Sequence, residues 1–201
     1  KYTGICWKDF YNNILNIAFN LKKSGFTRGD KMVIFSPNRL EMLELELAVM
    51  ASGGIAVPIF AFFHRETAEL LINHSDARYL AVAGELQLSR LENINVESIF
   101  VFDVQRKNTF SNQYSFDVLL AERTDKEFSL LTDAISDETC LNMYTSGTMG
   151  IPKCVQLSHK SILSQQAGLS LVWNLDTSDR FLSYLPWHHS FGGIFELFAA
   201  L

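Results

Sequence analysis

The sequence predicts an α/β fold, with a doubly wound, mostly parallel sheet layered with helices. Short apolar runs of strand length alternate along the chain with longer segments whose apolar residues recur at helical spacing. Glycine and proline mark the boundaries, as at Pro37 and Gly53–Gly54. Because a helix is the usual connection between parallel strands, this alternation favours a parallel sheet. The chain has 201 residues, 48% of them hydrophobic, which is enough to bury a sizeable core.

The first helix is predicted over residues 7–23. Lys22 and Lys23 place cations in its last turn, and Gly25 follows as a helix-ending residue. The apolar residues predicted to form its buried face are Trp7, Phe10, Tyr11, Ile14, Leu15, Ala18 and Leu21.

A buried strand is predicted over residues 31–36 and ends at Pro37. Asn38, with Glu41 three residues later, predicts a capping-box start for the second helix, which reaches about Ser52. Its predicted inward-facing residues are Leu40, Leu43, Leu47, Ala48 and Ala51, and its predicted water-facing residues are Glu41, Glu44 and Glu46.

The same alternation continues to the end of the chain. Gly53–Gly54 separates the second helix from a strand over 55–60, and we interpret this glycine pair as a site of close helix-to-strand packing. His64 and His74 have no cluster of carboxylates or cysteines beside them, so both are interpreted as ordinary surface or capping residues. The other predicted strands are 78–83, 98–103, 140–143, 154–157 and 180–185; the other helices are 65–73, 85–92, 116–123 (on the surface) and 158–173; residues 105–114 are predicted to be irregular.

The composition argues against several partners. The formal net charge is −5 and no basic stripe is present, so nucleic acid is not expected as a partner. No apolar run approaches the ~20 residues of a membrane-spanning helix, so no span is expected, and peripheral association with a membrane stays open. Cys6, Cys140 and Cys154 lack the spacing of a disulfide framework or a zinc site, so we expect reduced thiols, a cytoplasmic location and no metal site built from protein ligands.

The segment Tyr144–Lys153 has the residues that a polyphosphate requires. Its glycines let the backbone approach an anion closely, and successive N–H groups in such a turn can form an anion-binding nest. Three hydroxyl side chains add donors, and Lys153 adds a mobile positive charge. A Walker-type loop is excluded because Pro152 precedes the lysine and a strand-like run follows it. The alternative is a solvated turn between two strands.

Two adjacent histidines, His188 and His189, mark the segment Leu185–Gly193. They follow a proline and an aromatic residue, and Phe-Gly-Gly comes shortly after them. The residues alone leave two interpretations open: a loop with structural histidines before a helix, or a functional site that uses an imidazole.

The order of residues in Tyr144–Lys153, followed by Ser158–His159, closely resembles the phosphate-loop signature of the adenylate-forming (AMP-binding) superfamily. That superfamily includes acyl-CoA synthetases, luciferases and peptide-synthetase adenylation domains. Met149 stands where a threonine is usual, and Cys154 stands where a glycine is usual. Neither departure removes the lysine or the two loop glycines.

The segment Leu185–Gly193 resembles a second motif of the superfamily, in which Pro-x-x-His closes the carboxylate site. His189, rather than His188, matches the histidine of that motif. The resemblance thus implies catalytic roles for His189 and Lys153. The residues that it implies for binding the ATP phosphates are Thr145, Ser146, Gly147, Thr148, Met149, Gly150 and Lys153.

The resemblance covers the whole chain and implies a ligase. The implied substrates are ATP, a carboxylic acid and coenzyme A, with Mg²⁺ as cofactor; the products are an acyl adenylate and then a thioester. Softer matches at 56–60 and 181–186 favour the long-chain fatty acid branch. Residues 1–201 are expected to be a fragment of the N-terminal adenylation domain, without the rest of that domain or the small C-terminal domain, and inactive alone.

Three other interpretations come from different classes. The first is a nucleotide-binding or regulatory module without turnover, which Met149 and Cys154 favour. The second is an adenylation domain that loads a carrier protein instead of coenzyme A. The third is a purely structural α/β domain, which two matching motifs argue against.

Overall fold

The computed structural model describes residues 4–104, 108–130, 135–145, 152–176 and 178–201. Within these ranges the strands are β1 (Lys31–Phe35), β2 (Ile55–Ile59), β3 (Tyr79–Val82), β4 (Ser98–Val101), β5 (Gln113–Ser115), β6 (Thr139–Thr145) and β7 (Lys153–Ser158). The helices are α1 (Trp7–Lys23), α2 (Leu40–Ala51), α3 (Arg65–His74), α4 (Glu85–Leu88), α5 (Asp117–Leu120), α6 (His159–Trp173) and α7 (Leu197–Ala199), with a π-helical segment, Phe191–Glu196, leading into α7.

The described strands form one sheet in the order β5-β4-β3-β1-β2-β6-β7. All neighbouring pairs are parallel except β6 and β7, which form an antiparallel hairpin. One apolar core joins the sheet to α1, α2 and α5, and a second core joins its other face to α3 and α4. The predicted doubly wound, mostly parallel α/β fold is therefore confirmed.

The loops that follow β1 and β2 diverge at the carboxyl edge of the sheet. These two strands are parallel neighbours in register from Lys31↔Ile55 to Phe35↔Ile59. The chain leaves β1 toward α2 on one face and leaves β2 toward α3 on the other. In an open α/β sheet, a crevice of this kind is where ligands bind.

Helix α1 has the predicted bounds, but its buried face differs from the prediction. Trp7 is 68% exposed and Tyr11 is 53% exposed, whereas Ile17 is fully buried. The buried stripe runs along the line of Phe10, Ile14, Ile17 and Leu21, so Tyr11 lies at its side, and Trp7 lies in the first turn, before the first buried residue. Periodicity identified the helix correctly, but it placed the edges of the buried stripe wrongly.

The predicted capping box at the start of α2 is wrong. Arg39 occupies the N-cap position in an extended conformation and makes no side-chain cap. Its guanidinium instead pairs with the carboxylates of Glu41 and Asp103, so Glu41 is not free to cap the helix. Asn38 turns its side chain toward residues near the end of the chain. Long-range partners therefore displaced the local motif.

The predicted water-facing side of α2 is also wrong at two positions, because Glu44 and Glu46 are buried. Helix α2 lies between α1 and the sheet, so most of its circumference is covered. Its buried residues are Met42, Glu44, Leu45, Glu46, Ala48, Val49 and Met50, whereas Leu40, predicted to face inward, is exposed. Asn13 Nδ2 donates a hydrogen bond to Glu44 Oε1 at 2.8 Å, whereas neither carboxylate oxygen of Glu46 has a partner among the described residues.

Other elements differ from prediction at the margins of the sheet. The stretch 105–114 was predicted to be irregular, yet residues 113–115 form the edge strand β5. The predicted surface helix near residue 120 is short, and Leu119 is buried against the α1 side of the sheet. Helix α4 is half as long as predicted, whereas the hairpin β6–β7 and helix α6, capped by Ser158, lie where predicted.

Gly54 lies at the close packing point predicted for the glycine pair. A Cβ atom built on it would lie 2.4 Å from the ring of Phe26 and 3.1 Å from the carbonyl oxygen of Asp30. Gly53 beside it has a φ of +75°, which side-chain-bearing residues rarely adopt. The close approach supports a packing role for Gly54, against the segment between α1 and β1 rather than directly between a helix and a strand.

Glu46 should make the stability of the protein depend on pH. Burial raises the pKa of its carboxyl to about 8, from 4.5 when solvated. Between these two values the folded state binds the proton and the unfolded state does not, so the contribution of Glu46 to stability falls as pH rises from about 4.5 to 8. Glu46→Gln, which stays neutral, should therefore be more stable than the wild type by on the order of 3 kcal/mol near pH 7, and equally stable near pH 4.

Urea unfolding of both proteins from pH 4 to pH 9 measures this difference. Glu127→Gln is the matched control because Glu127 is exposed. The account of Glu46 is wrong if the difference between Glu46→Gln and the wild type stays constant across this range.

Candidate functional site

Two residues of the predicted phosphate loop, Thr145 and Lys153, lie at the carboxyl edge of the sheet in the hairpin β6–β7. They are register partners where β6 ends and β7 begins, and both are exposed. Thr145 Oγ1 lies 3.5 Å from the carbonyl oxygen of Lys153. No carboxylate in the described part of the chain forms an ion pair with Lys153. The predicted residues Ser146, Gly147, Thr148, Met149 and Gly150 lie outside the described residues, so their roles stay predictions.

Tyr144, next to Thr145 in β6, contacts helix α3. Its hydroxyl lies 2.9 Å from His74 Nδ1, and the two rings meet edge to face with centroids 5.7 Å apart. Burial raises the pKa of the Tyr144 hydroxyl, and nearby Cys154 raises it further. His74 is exposed, as expected for a surface residue, and its contact with Tyr144, 70 positions away, leaves no local sequence signal.

Cys154, at the position where the family signature has glycine, lies opposite Tyr144 in the hairpin register. The side chain is half-buried, and burial raises the pKa of its thiol. The thiol is therefore protonated at neutral pH and contributes no negative charge beside Lys153.

The two histidines lie in a loop of residues 184–190, which we call the histidine loop. His188 is half-buried, with its ring 4.9 Å from that of Phe60, whereas His189 is exposed. Burial, together with a smaller electrostatic effect of the neighbouring His189, lowers the pKa of His188 to about 4. His188 is therefore neutral at physiological pH.

His188 forms part of the wall of a cavity of about 280 Å³. This cavity opens in the crevice between the loops that follow β1 and β2, where the fold favours ligand binding. The residues around it are Ser36, Pro37, Asn38, Phe60, Ala61, Phe62, Tyr184, Pro186 and His188. The wall is mainly apolar and aromatic, with a few polar groups.

His189 is held through its backbone rather than by burial. Its N–H donates to the carbonyl oxygen of Pro186 at 3.1 Å, and its Nδ1 accepts from the N–H of Phe191 at 3.4 Å. A neutral imidazole that accepts at Nδ1 carries its proton on Nε2. His189 can therefore offer an Nε2–H donor to an anion at the surface.

The glycines of Phe-Gly-Gly allow the π-helical segment to lie against the histidine loop. A Cβ atom built on Gly192 would be 2.4 Å from the carbonyl oxygen of Pro186, and one on Gly193 would be 2.0 Å from that of Trp187. The same Cβ on Gly193 would be 2.7 Å from the methyl group of Met143 in β6. The histidine loop therefore lies beside the strand that leads into the predicted phosphate loop.

The described residues contain no cluster of three or more histidine, cysteine, aspartate or glutamate side chains that could hold a metal ion. None of the helices in the described ranges has the length and apolar character needed to cross a membrane.

Sequence reasoning missed the residues that support the site. Asn38 and Glu196 hydrogen-bond the backbone of the histidine loop, and His74 contacts Tyr144. Asn38 was interpreted as a helix cap because its motif is local and its true partners are distant. Glu196 shows only as a charged residue in an apolar run, and no spacing rule connects it to the loop.

The chain is similar to known proteins along nearly its whole length. It is 29% identical over 214 residues to long chain acyl-CoA synthetase 3 of Arabidopsis thaliana, a match that covers 98% of this chain and 32% of that protein. It is 30% identical over 208 residues to 4-hydroxybutyrate–CoA ligase 2 of Metallosphaera sedula, covering 94% and 35%. The chain thus spans about a third of the length of these relatives.

A solved structure shares the fold. The o-succinylbenzoate coenzyme A synthetase of Bacillus subtilis, in complex with ATP and magnesium ion, superposes with a TM-score of 0.78 at 20% identity, covering all of this chain and 49% of that one. The family model described as AMP-binding enzyme matches residues 1–201. The chain therefore belongs to the AMP-binding enzyme family.

Proposed function

We propose that the protein containing this chain uses ATP to convert a carboxylic acid into an acyl adenylate, and then transfers the acyl group to coenzyme A. The main support is the exposed Lys153 at the start of β7, in a segment whose residues follow the phosphate-loop order of the family. The names of the Arabidopsis and Metallosphaera relatives support coenzyme A as the acceptor.

The first step needs neutralisation of negative charge more than covalent help. A carboxylate oxygen bonds to the α-phosphorus of ATP, and the bond from that phosphorus to the pyrophosphate oxygen breaks. The attacking group and the leaving group are both anions, so positioned cations and donors stabilise the transition state. Lys153 and Thr145 fit this role because both are exposed at the carboxyl edge of the sheet, and Lys153 has no competing carboxylate among the described residues.

Mg²⁺ would share the charge of the β- and γ-phosphates. In proteins, Mg²⁺ is normally coordinated mainly by phosphate oxygens and water molecules, and by only one or two carboxylates. The Bacillus relative, solved with ATP and magnesium ion, supports the choice of these two groups.

His189 is proposed to act on the acid side of the reaction. Its exposed ring, with Nδ1 accepting a hydrogen bond, presents an Nε2–H that can orient a carboxylate or the α-phosphate. The neighbouring cavity, with neutral His188 and the ring of Phe60, offers an apolar surface to the organic part of the acid.

A long-chain fatty acid is the proposed substrate. The relatives named long chain acyl-CoA synthetase 3 and fatty acyl-CoA synthetase A favour this class. The Metallosphaera relative is named for a short hydroxy acid, so a panel of acids is the direct test. A cytoplasmic location, and transfer to coenzyme A rather than to a carrier protein, are part of the same proposal.

One rival function has an observation in its favour. Met149 and Cys154 depart from the family signature, which would suit a module that binds a nucleotide without turning it over. ATP–pyrophosphate exchange by the full-length protein, with acetate, 4-hydroxybutyrate and palmitate, separates the two functions. Exchange with palmitate supports the proposal, and ATP binding without exchange for any acid supports the rival.

Lys153→Ala in the full-length protein should lower kcat/KM for pyrophosphate exchange by about 10²–10³-fold, because one positioned charge on the leaving group is lost. The free energy of unfolding should change little, since Lys153 is exposed. Lys160→Ala is the matched control: Lys160 is also exposed, and it pairs with Asp137 at the start of α6. Equal exchange rates for the two variants would exclude Lys153 from the phosphate site.

His189→Ala should slow exchange by about 10- to 100-fold, because the donor that orients the acid is lost. His188→Phe should keep most of the rate, because a phenyl ring can preserve the contact with Phe60 and His188 is already neutral. The two variants are compared in initial rates from pH 6 to pH 8. A larger loss for His188→Phe than for His189→Ala would reverse the proposed assignment.

A further inference from the structure

The histidine loop contains backbone that belongs to no helix or strand. Residues 180–185 were predicted to form a strand, but the described residues 178–185 contain none. Backbone N–H and C=O groups need partners wherever they are shielded from water. The partners in this loop come from two distant side chains.

Asn38 hydrogen-bonds the loop on both sides of Pro186. Its Nδ2 donates to the carbonyl oxygen of Leu185 at 2.7 Å, and its Oδ1 accepts from the N–H of Trp187 at 3.0 Å. A side-chain amide that uses both its donor and its acceptor on nearby backbone groups fixes their relative orientation. Asn38 lies three residues after the end of β1, so it links the loop to the carboxyl edge of the sheet.

Glu196 hydrogen-bonds the two residues before Pro186, Tyr184 and Leu185. Its Oε1 accepts from the N–H of Tyr184 at 3.2 Å, and its Oε2 accepts from the N–H of Leu185 at 3.1 Å. The carboxylate is buried. Hydrogen bonds to a charged acceptor are stronger than those between neutral groups, so this contact is well suited to fix the loop.

Together these two side chains bond every backbone N–H from residue 184 to residue 187, since Pro186 has none. The next residues are His188 and His189. Trp187 is buried in the core, so the bonded stretch cannot slide outward without uncovering an indole. The loop is thus fixed directly before the two imidazoles.

We propose that Asn38 and Glu196 are positioning residues that set the place of His189 and of the cavity beside His188. Neither is proposed to act on the reacting atoms. This inference rests on the proposed function, because the property that it explains is the placement of the acid beside the histidine loop.

The test measures pyrophosphate exchange by the full-length protein with Asn38→Ala. A displacement of about 1 Å in a positioned group can cost 10²-fold in rate, so kcat/KM for the acid should fall 10- to 100-fold. The KM for ATP should change by less than about twofold, because the phosphates are proposed to bind at the separate hairpin. Asn38→Asp keeps the acceptor for Trp187 and loses the donor to Leu185, so it should give a smaller loss.

Asn73→Ala is the matched control. Asn73 makes the same pair of contacts elsewhere in the fold: its Nδ2 donates to the carbonyl oxygen of Asn93 at 2.8 Å, and its Oδ1 accepts from the N–H of Asn95 at 3.1 Å. It should lose similar stability without changing the catalytic constants. Amide hydrogen exchange of the peptide spanning 184–189 provides a second readout, which should speed up in Asn38→Ala and in Glu196→Gln but not in Asn73→Ala.

The outcomes separate the two proposals. If the wild type shows no exchange with any acid, the proposed function fails and the positioning role falls with it. If the wild type is active and Asn38→Ala matches Asn73→Ala in catalytic constants and in protection of 184–189, only the positioning role is overturned. An equal rise in the KM for ATP and in the KM for the acid would also overturn it, since a general loosening of the fold affects the binding of both substrates.

Discussion

The parallel pairing of β1 with its two neighbours is the constraint on which the rest of the structure depends. It places the carboxyl ends of β1, β2 and β6 at one edge of the sheet, because β2 pairs in parallel with both β1 and β6. The chain leaves β1 and β2 toward opposite faces, so a crevice opens between their loops. The histidine loop enters this crevice, and Thr145 and Lys153 are paired beside it at the end of β6.

The second constraint is the demand of backbone groups for partners. A strand over 180–185 would meet that demand with a neighbouring strand, but Tyr184 and Leu185 donate to the carboxylate of Glu196 instead. Side-chain partners allow the chain to follow an irregular path, which a sheet would not. The two glycines at 192 and 193 complete the arrangement, since any Cβ there would collide with the carbonyl groups of the loop. An irregular loop is therefore held in one conformation by specific, distant residues.

Periodicity and turn residues were sufficient to predict the fold class and most of its elements. They failed where a distant neighbour decides the outcome. Glu46 has the polarity of a surface residue, but the helix that carries it lies between α1 and the sheet, so its carboxyl is buried without a partner. Asn38 matches a local capping motif, but its side-chain amide instead hydrogen-bonds the backbone of Leu185 and Trp187.

In the candidate site, too, the features that depend on local sequence were predicted better than those that depend on distant residues. The match over Tyr144–Lys153 is long and ordered, so it is informative about chemistry, and two of its residues, Thr145 and Lys153, are paired at the carboxyl edge. Which histidine is buried could not be predicted, because the environment of His188 depends on Phe60 in the loop after β2. The supporting contacts of His74 and Glu196 were unpredictable for the same reason.

The register of the hairpin bears on whether Cys154 weakens the site. Side chains alternate across a strand, so Cys154 shares a face with its partner Tyr144, whose hydroxyl lies against α3 near His74. Lys153 shares the opposite face with Thr145. The thiol is therefore directed away from the side chains proposed to bind phosphate, and it is protonated because burial raises its pKa. On this geometry, the cysteine adds neither bulk nor charge on the face of the hairpin that carries Lys153.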